Sequence, residues 1–241
     1  MQQKLILRVI PSEARTPKLS EGARHMYVVL DVETKNLGSD IMKDTEQLLS
    51  LQLGDATKQE LYYHDSKNPK LTLETGKRRI ESLLSQGVTF AGYNIKRFDT
   101  EMLKRFLGIE IPQSRMFELS DTPRMIELHR KTKDWTMECA CQDCGIEVTH
   151  KQRMNTRAEK YRAKKDIQEK AKAKAVEIMR KKGGTLDYAF KEALHKIAYG
   201  HAIWDAYLEF VESGGRNDSL FYEYAVGDVI SERLLLKKLG Y

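Results

Sequence analysis

The apolar run Tyr27-Val-Val-Leu30 ends in two acids one residue apart, Asp31 and Glu33, and this stretch constrains the fold more than any other. Its β-branched residues make Met26–Val32 a buried strand. Alternate residues of a strand share a face, so Asp31 and Glu33 point the same way. Charged groups are not left in a core without partners, so the strand must run out into a cleft at this point.

Two further apolar runs meet acids in the same manner. Val88–Tyr93 reads as a strand that turns through Asn94 and Phe98 into Asp99, which opens a helix, Asp99–Leu107, stopped by Gly108. Tyr224 and Asp228 lie four apart, on one face of a last helix, Ser219–Leu239. A helix interior gains nothing from an aspartate among Ala225, Val226 and Val229, which favours a functional role. Clustered carboxylates repel one another and raise their own pKa values unless cations neutralise them. Oxygen-only ligation suits Mg²⁺ or Mn²⁺ rather than zinc. Two such ions, about 3.5–4 Å apart, are a common device for hydrolysing phosphodiesters.

Between these motifs the chain reads as strands first and helices later, the pattern of an α/β fold with a mixed β-sheet flanked by helices. Glu46–Leu53 and Glu60–His64 are expected strands, Thr75–Gln86 a helix, and Met116–Leu119 a short strand. Arg124–Lys131 and Thr136–Cys144 read as short helices, and Thr185–His195 and His201–Glu212 as two amphipathic ones. Residues 1–10 suit a strand and 11–25, with Pro11, Pro17 and Gly22, a linker. The domain boundaries are therefore an N-terminal extension over 1–25 and a main domain over 26–241.

Charge is concentrated in one segment. From His150 to Lys182 there are thirteen Lys and Arg against four acids, a net +9, which leaves −3 for the rest of a chain that totals +6. The stretch has no Gly or Pro and reads as a single long helix that projects rather than packs over its whole length, an insertion over 150–184. Its i, i+4 pairs suit a solvated, charge-laced helix. A net +9 exceeds what solubility requires and suits a phosphate backbone, contacted through Lys151, Arg153, Arg157, Lys164 and Lys165; a protein partner is the second choice. Cys139, Cys141 and Cys144 are too few and too close for a disulfide framework. With His150 they could ligate zinc, although three small hydrophobes on a short helix is the simpler reading. No run is long enough to span a membrane and the start lacks a secretory signal, so a cytoplasmic location is expected.

The three acidic motifs together resemble those of the DEDD superfamily of 3′-5′ exonucleases, which have an RNase H-like fold. Asp31-x-Glu33-Thr34 is similar to the first motif, Asn94-x-x-x-Phe98-Asp99 to the second, and Tyr224-x-x-x-Asp228 to the third in its tyrosine form, DEDDy. The likeness is greatest to the exonuclease domain of family B DNA polymerases and its stand-alone relatives, and covers roughly 26–145 and 185–240. The resemblance implies a two-metal exonuclease releasing nucleoside 5′-monophosphates from a 3′ end, single-stranded by preference, of DNA or RNA. Asp31, Glu33 and Asp228 would hold one Mg²⁺ or Mn²⁺, Asp31 would bridge to a second, and Asp99 would act through that ion's waters. Tyr224 would orient the attacking water, and Thr34, Leu37, Asn94 and Phe98 would grip the terminal nucleotide. Leu37 and Phe98 equally suit a core and Asn94 a turn. His201 and Asp205 compete for the third motif, and a non-catalytic nucleic-acid-binding module or an endonuclease are the alternative functions.

Overall fold

The computed structural model describes residues 26–38, 40 and 42–241. The strand and linker expected over 1–25 lie outside the described residues. Five strands form one mixed sheet: β1 (Tyr27–Asn36), β2 (Thr45–Gly54), β3 (Gln59–Tyr63), β4 (Thr89–Gly92) and β5 (Met116–Glu118), in the order β3-β2-β1-β4-β5. The first three strands are antiparallel neighbours, whereas β4 and β5 run parallel to β1. The α/β mixed sheet flanked by helices is thus the fold class expected from the sequence.

Strand alternation sets what lies on each face. Val28, Leu30 and Val32 of β1 pack with Ile80 and Leu83 of α1 (Leu73–Ser85) and Met102 and Leu103 of α2 (Asp99–Leu107). Val29 points the other way, against Val229, Leu235 and Leu236 of the last helix, α8 (Leu220–Lys238). Burial of each such side chain contributes about 1.5–3 kcal/mol. Gly54 lets α8 lie directly on the sheet, because a Cβ there would collide with Val229.

Between these lie α3 (Pro123–Thr132), α4 (Met137–Asp143), α5 (His150–Arg162), α6 (Lys165–Lys182) and α7 (Leu186–Glu212). Two expectations are corrected here. The basic segment is two helices, and they pack rather than project. Met154 and Ala158 of α5 join the core beneath α7 and α8, while Ile167 and Ala171 of α6 pack against Ala193, Ile197 and Ala198 of α7. Alanines at close contacts let a sparse apolar stripe seat a whole helix, which a search for large hydrophobes overlooks. The second correction concerns α7, one continuous helix where two were expected. Gly200 falls between the two expected helices, and in the fold it is a point of close approach: a Cβ there would run into the Asn36 carbonyl oxygen. The missing side chain lets α7 cross the end of β1.

Candidate active site

Asp31 and Glu33 continue the Val29 face of β1, toward α8. The β1–β2 register shifts between Glu33 and Thr34, a bulge in which Leu49 of β2 is the extra, unpaired residue. β1 also outruns β4, whose pairing stops at Val29↔Ala91, so the Val32 N–H has no strand partner on that side. Asp99, in the first turn of α2, fills the gap: its Oδ1 accepts from Val32 N at 3.1 Å. The turn that delivers Asp99 is held by Glu118 at the end of β5, which accepts from Asn94 N at 2.7 Å and Lys96 N at 3.3 Å.

On α8, Tyr224 and Asp228 face these acids, both buried. One oxygen from each of Asp31, Glu33 and Asp228 lies within 4.8 Å of the others. Asp228 Oδ1 is gripped from α5 by His150 Nε2 at 2.8 Å and Lys151 Nζ at 3.1 Å, and Lys151 also pairs with Glu138 of α4 at 2.7 Å. Gly227 admits the His150 ring, since a Cβ there would strike it. The start of the basic segment is therefore built into the acid cluster.

The electrostatics are those of an overcrowded anion site. Burial, then repulsion from Glu33, Asp99, Glu232 and Asp228, pushes Asp31 well above the carboxylate range. Burial and then Asp228 do the same to Glu33, despite Lys151. Asp99 is pushed up to about 8, chiefly by burial, with its backbone N–H bonds opposing. Burial pulls the Lys151 ammonium down, but Asp228 and Glu138 outweigh it and the net direction is up, so it is cationic at neutral pH. Burial and then Glu33 raise Tyr224, whose hydroxyl stays protonated and whose ring meets that of Tyr199 of α7 edge-on.

This donor set suits a hard dication. It is all carboxylate oxygen, and Asp31 Oδ2 is buried with no hydrogen-bond partner, an orphan that a cation would satisfy. Above it opens a cleft of about 320 Å³. Thr34 and Phe98 line one part, and His195, Lys196, Tyr199, Gly200 and Ile203 of α7 another.

Other expected site residues fall elsewhere. Leu37, half-buried just beyond β1, and Asn94, exposed in a left-handed turn at φ 74°, do not line the cleft. Asn94 is where the chain must turn, which a short polar side chain tolerates. Arg153 pairs with Glu223, and Arg157 with Glu209 and, at 3.2 Å, with Asp205. The Lys164 ammonium sits 4.1 Å over the Tyr161 ring, and Lys165 starts α6 exposed. Asp205 is thus drawn to α5 while Asp228 joins Asp31 and Glu33. Cys141 and Cys144 are buried with Leu119 and Met125, and burial raises both thiols, that of Cys141 to about 12. Of the other two candidate zinc ligands, Cys139 contacts the Thr132 hydroxyl and His150 pairs with Asp228.

Sequence reasoning missed the contacts of His150 and Lys151 with Asp228, and it missed Glu118 and Glu232. Glu232 was findable, since Tyr224, Asp228 and Glu232 repeat at i, i+4 and i+8 along one helix face. In comparisons with known proteins, no family model and no curated protein matches the chain.

Proposed function

We propose that this chain is a divalent-cation-dependent nuclease that removes nucleotides from the 3′ end of a DNA or RNA strand as 5′-monophosphates. The observation that carries the reading is the convergence of Asp31, Glu33 and Asp228 within 4.8 Å, with Asp99 and Tyr224 beside them. The three motifs resemble those of the DEDDy exonucleases, and a mixed α/β sheet flanked by helices is compatible with that resemblance. Mg²⁺ or Mn²⁺ held at these carboxylates would activate water and stabilise the leaving 3′-oxygen.

The chain's own residues do the rest. Asp31, Glu33 and Asp228 hold the cation, while His150 and Lys151 fix the Asp228 carboxylate, leaving its other oxygen for ligation. Supports of this kind are worth about 10–100-fold in metal affinity or activity. Tyr224 stays neutral, so it positions the attacking water by hydrogen bonding and does not act as a base. Phe98 and Ile203 offer apolar surface to a base or sugar, and stacking of this kind tolerates any sequence. A cleft of about 320 Å³ lies at the lower end of small-molecule sites, and α7 crosses the end of β1 beside it; both favour a terminal nucleotide over a strand passing through.

The basic segment takes a narrower role than a projecting arm would. Lys151 serves Asp228, and Arg157 is held in internal pairs. Phosphate attraction falls to exposed cations such as Lys165 and Lys170 on α6, the helix packed on the part of α7 that holds His195 and Lys196. A 5′-labelled single strand incubated with Mg²⁺ or Mn²⁺ should give a ladder shortening from the 3′ end. Internal cuts would instead indicate an endonuclease, and binding without cleavage a passive module.

A further inference from the structure

Glu232 is the one acid of the cluster that the exonuclease motifs leave without a role. It is 3% exposed, and its Oε1 accepts from Tyr93 N at 3.0 Å. Its Oε2 is buried with no partner at all. A carboxylate taken out of water costs several kcal/mol unless a cation or several donors compensate it. Here one N–H does so, and the strongest charges acting on it are those of Asp99 and then Asp228, with Lys151 a weaker influence already committed to Asp228 and Glu138. If holding Tyr93 N were the whole task, a glutamine would accept the same hydrogen bond without burying a charge. The unpartnered oxygen calls for a cation.

We propose that Glu232 is a fifth carboxylate of the divalent-cation site, serving a second Mg²⁺ or Mn²⁺ shared with Asp31 and Asp99. The inference rests on the nuclease reading above and deepens it. Asp31 is the acid influenced by all four others, Glu33 and Asp228 as well as Asp99 and Glu232, and its own Oδ2 is orphaned. Glu232 lies in the field of both Asp99 and Asp228, and Asp31 in that of Asp99 and Glu232, so the orphaned oxygens of Asp31 and Glu232 belong to one acidic cluster. Asp99 and Glu232 stand outside the 4.8 Å triad. They therefore act on the hydration shell of the second ion, which suits Mg²⁺, an ion that keeps several of its waters.

The test is Mn²⁺ binding by the full chain, followed by calorimetry and by the loss of the free-Mn²⁺ electron paramagnetic resonance signal. The unaltered protein should take up two ions. Glu232→Gln, which keeps the acceptor for Tyr93 N, should bind the tighter ion as before and the second about 10–100-fold more weakly. Glu232→Ala should show the same selective loss, and provides the answer if the glutamine variant does not fold. Wild-type affinity for both ions in a folded variant would overturn the inference, as would a single ion in the unaltered protein or loss of the tighter ion alone. Two ions bound without any 3′ cleavage would instead overturn the nuclease reading and leave the cation site standing.

Discussion

The acid cluster makes the metal-free protein least stable where most proteins are comfortable. Asp99 is raised to about 8, while an unfolded aspartate titrates near 3.9. Between those values the folded chain keeps a proton that the unfolded chain has released. Stability is therefore fully present below the unfolded pKa and is lost as pH rises toward 8, at up to about 1.4 kcal/mol per pH unit. Over roughly four units the ceiling for this one group is about 6 kcal/mol, comparable with the whole stability of many domains. Asp31, Glu33 and Glu232 are raised too, but coupled acids share their protons, so the losses do not simply add. A few kcal/mol is the expected difference between about pH 5 and pH 8 in excess chelator. Urea unfolding of wild type and Asp99→Asn measures it, because asparagine keeps the acceptor for Val32 N without the charge. Wild type should lose stability relative to Asp99→Asn as pH rises, and saturating Mg²⁺ should offset the loss by about 3 kcal/mol at a hundredfold excess over Kd. Metal-free wild type that matches Asp99→Asn at every pH, or gains on it as pH rises, would refute the reasoning.

Other expectations follow from single contacts. Lys151→Met leaves Asp228 and Glu138 without their shared cation and should destabilise the metal-free protein by about 2–4 kcal/mol, with Lys151→Arg recovering most of that in thermal melts; equal melting of all three would contradict the ion-pair account. Tyr224→Phe should fold normally and slow cleavage by about 100-fold through loss of one positioned hydroxyl, whereas an unchanged single-turnover rate would remove Tyr224 from the reaction. Gly200→Ala gains about 1 kcal/mol of helix propensity but forces α7 off the Asn36 carbonyl, so denaturation should show a net loss of about 1–2 kcal/mol; a more stable variant would mean that α7 does not sit on β1 as described.

Much of the site was legible because strand alternation and helix spacing are local rules. The parity of Val29, Asp31 and Glu33, the four-residue step from Tyr224 to Asp228, and Asp99 at a helix start all appear in the fold as the sequence implies. What could not be read depends on tertiary packing. Met154, Ile167 and a few alanines seat α5 and α6 on α7, although their stripe is too sparse to announce it. Gly200 and Gly227 serve as points of close approach, which a sequence cannot distinguish from breaks. Lys151 lies in a run of thirteen cations, and only the fold separates the one that enters the acid cluster from those left in solvent.

If Asp31, Glu33 and Asp228 form one metal centre that cuts from a 3′ end, Asp228 is essential to cleavage and Asp205 is not. Single-nucleotide release from a 5′-labelled strand, compared between Asp228→Asn and Asp205→Asn in Mn²⁺, tests it most directly. Asp228→Asn should abolish the 3′-shortening ladder, while Asp205→Asn, altered at the Arg157 pair, should cut as the unaltered chain does. A ladder that survives Asp228→Asn would contradict it.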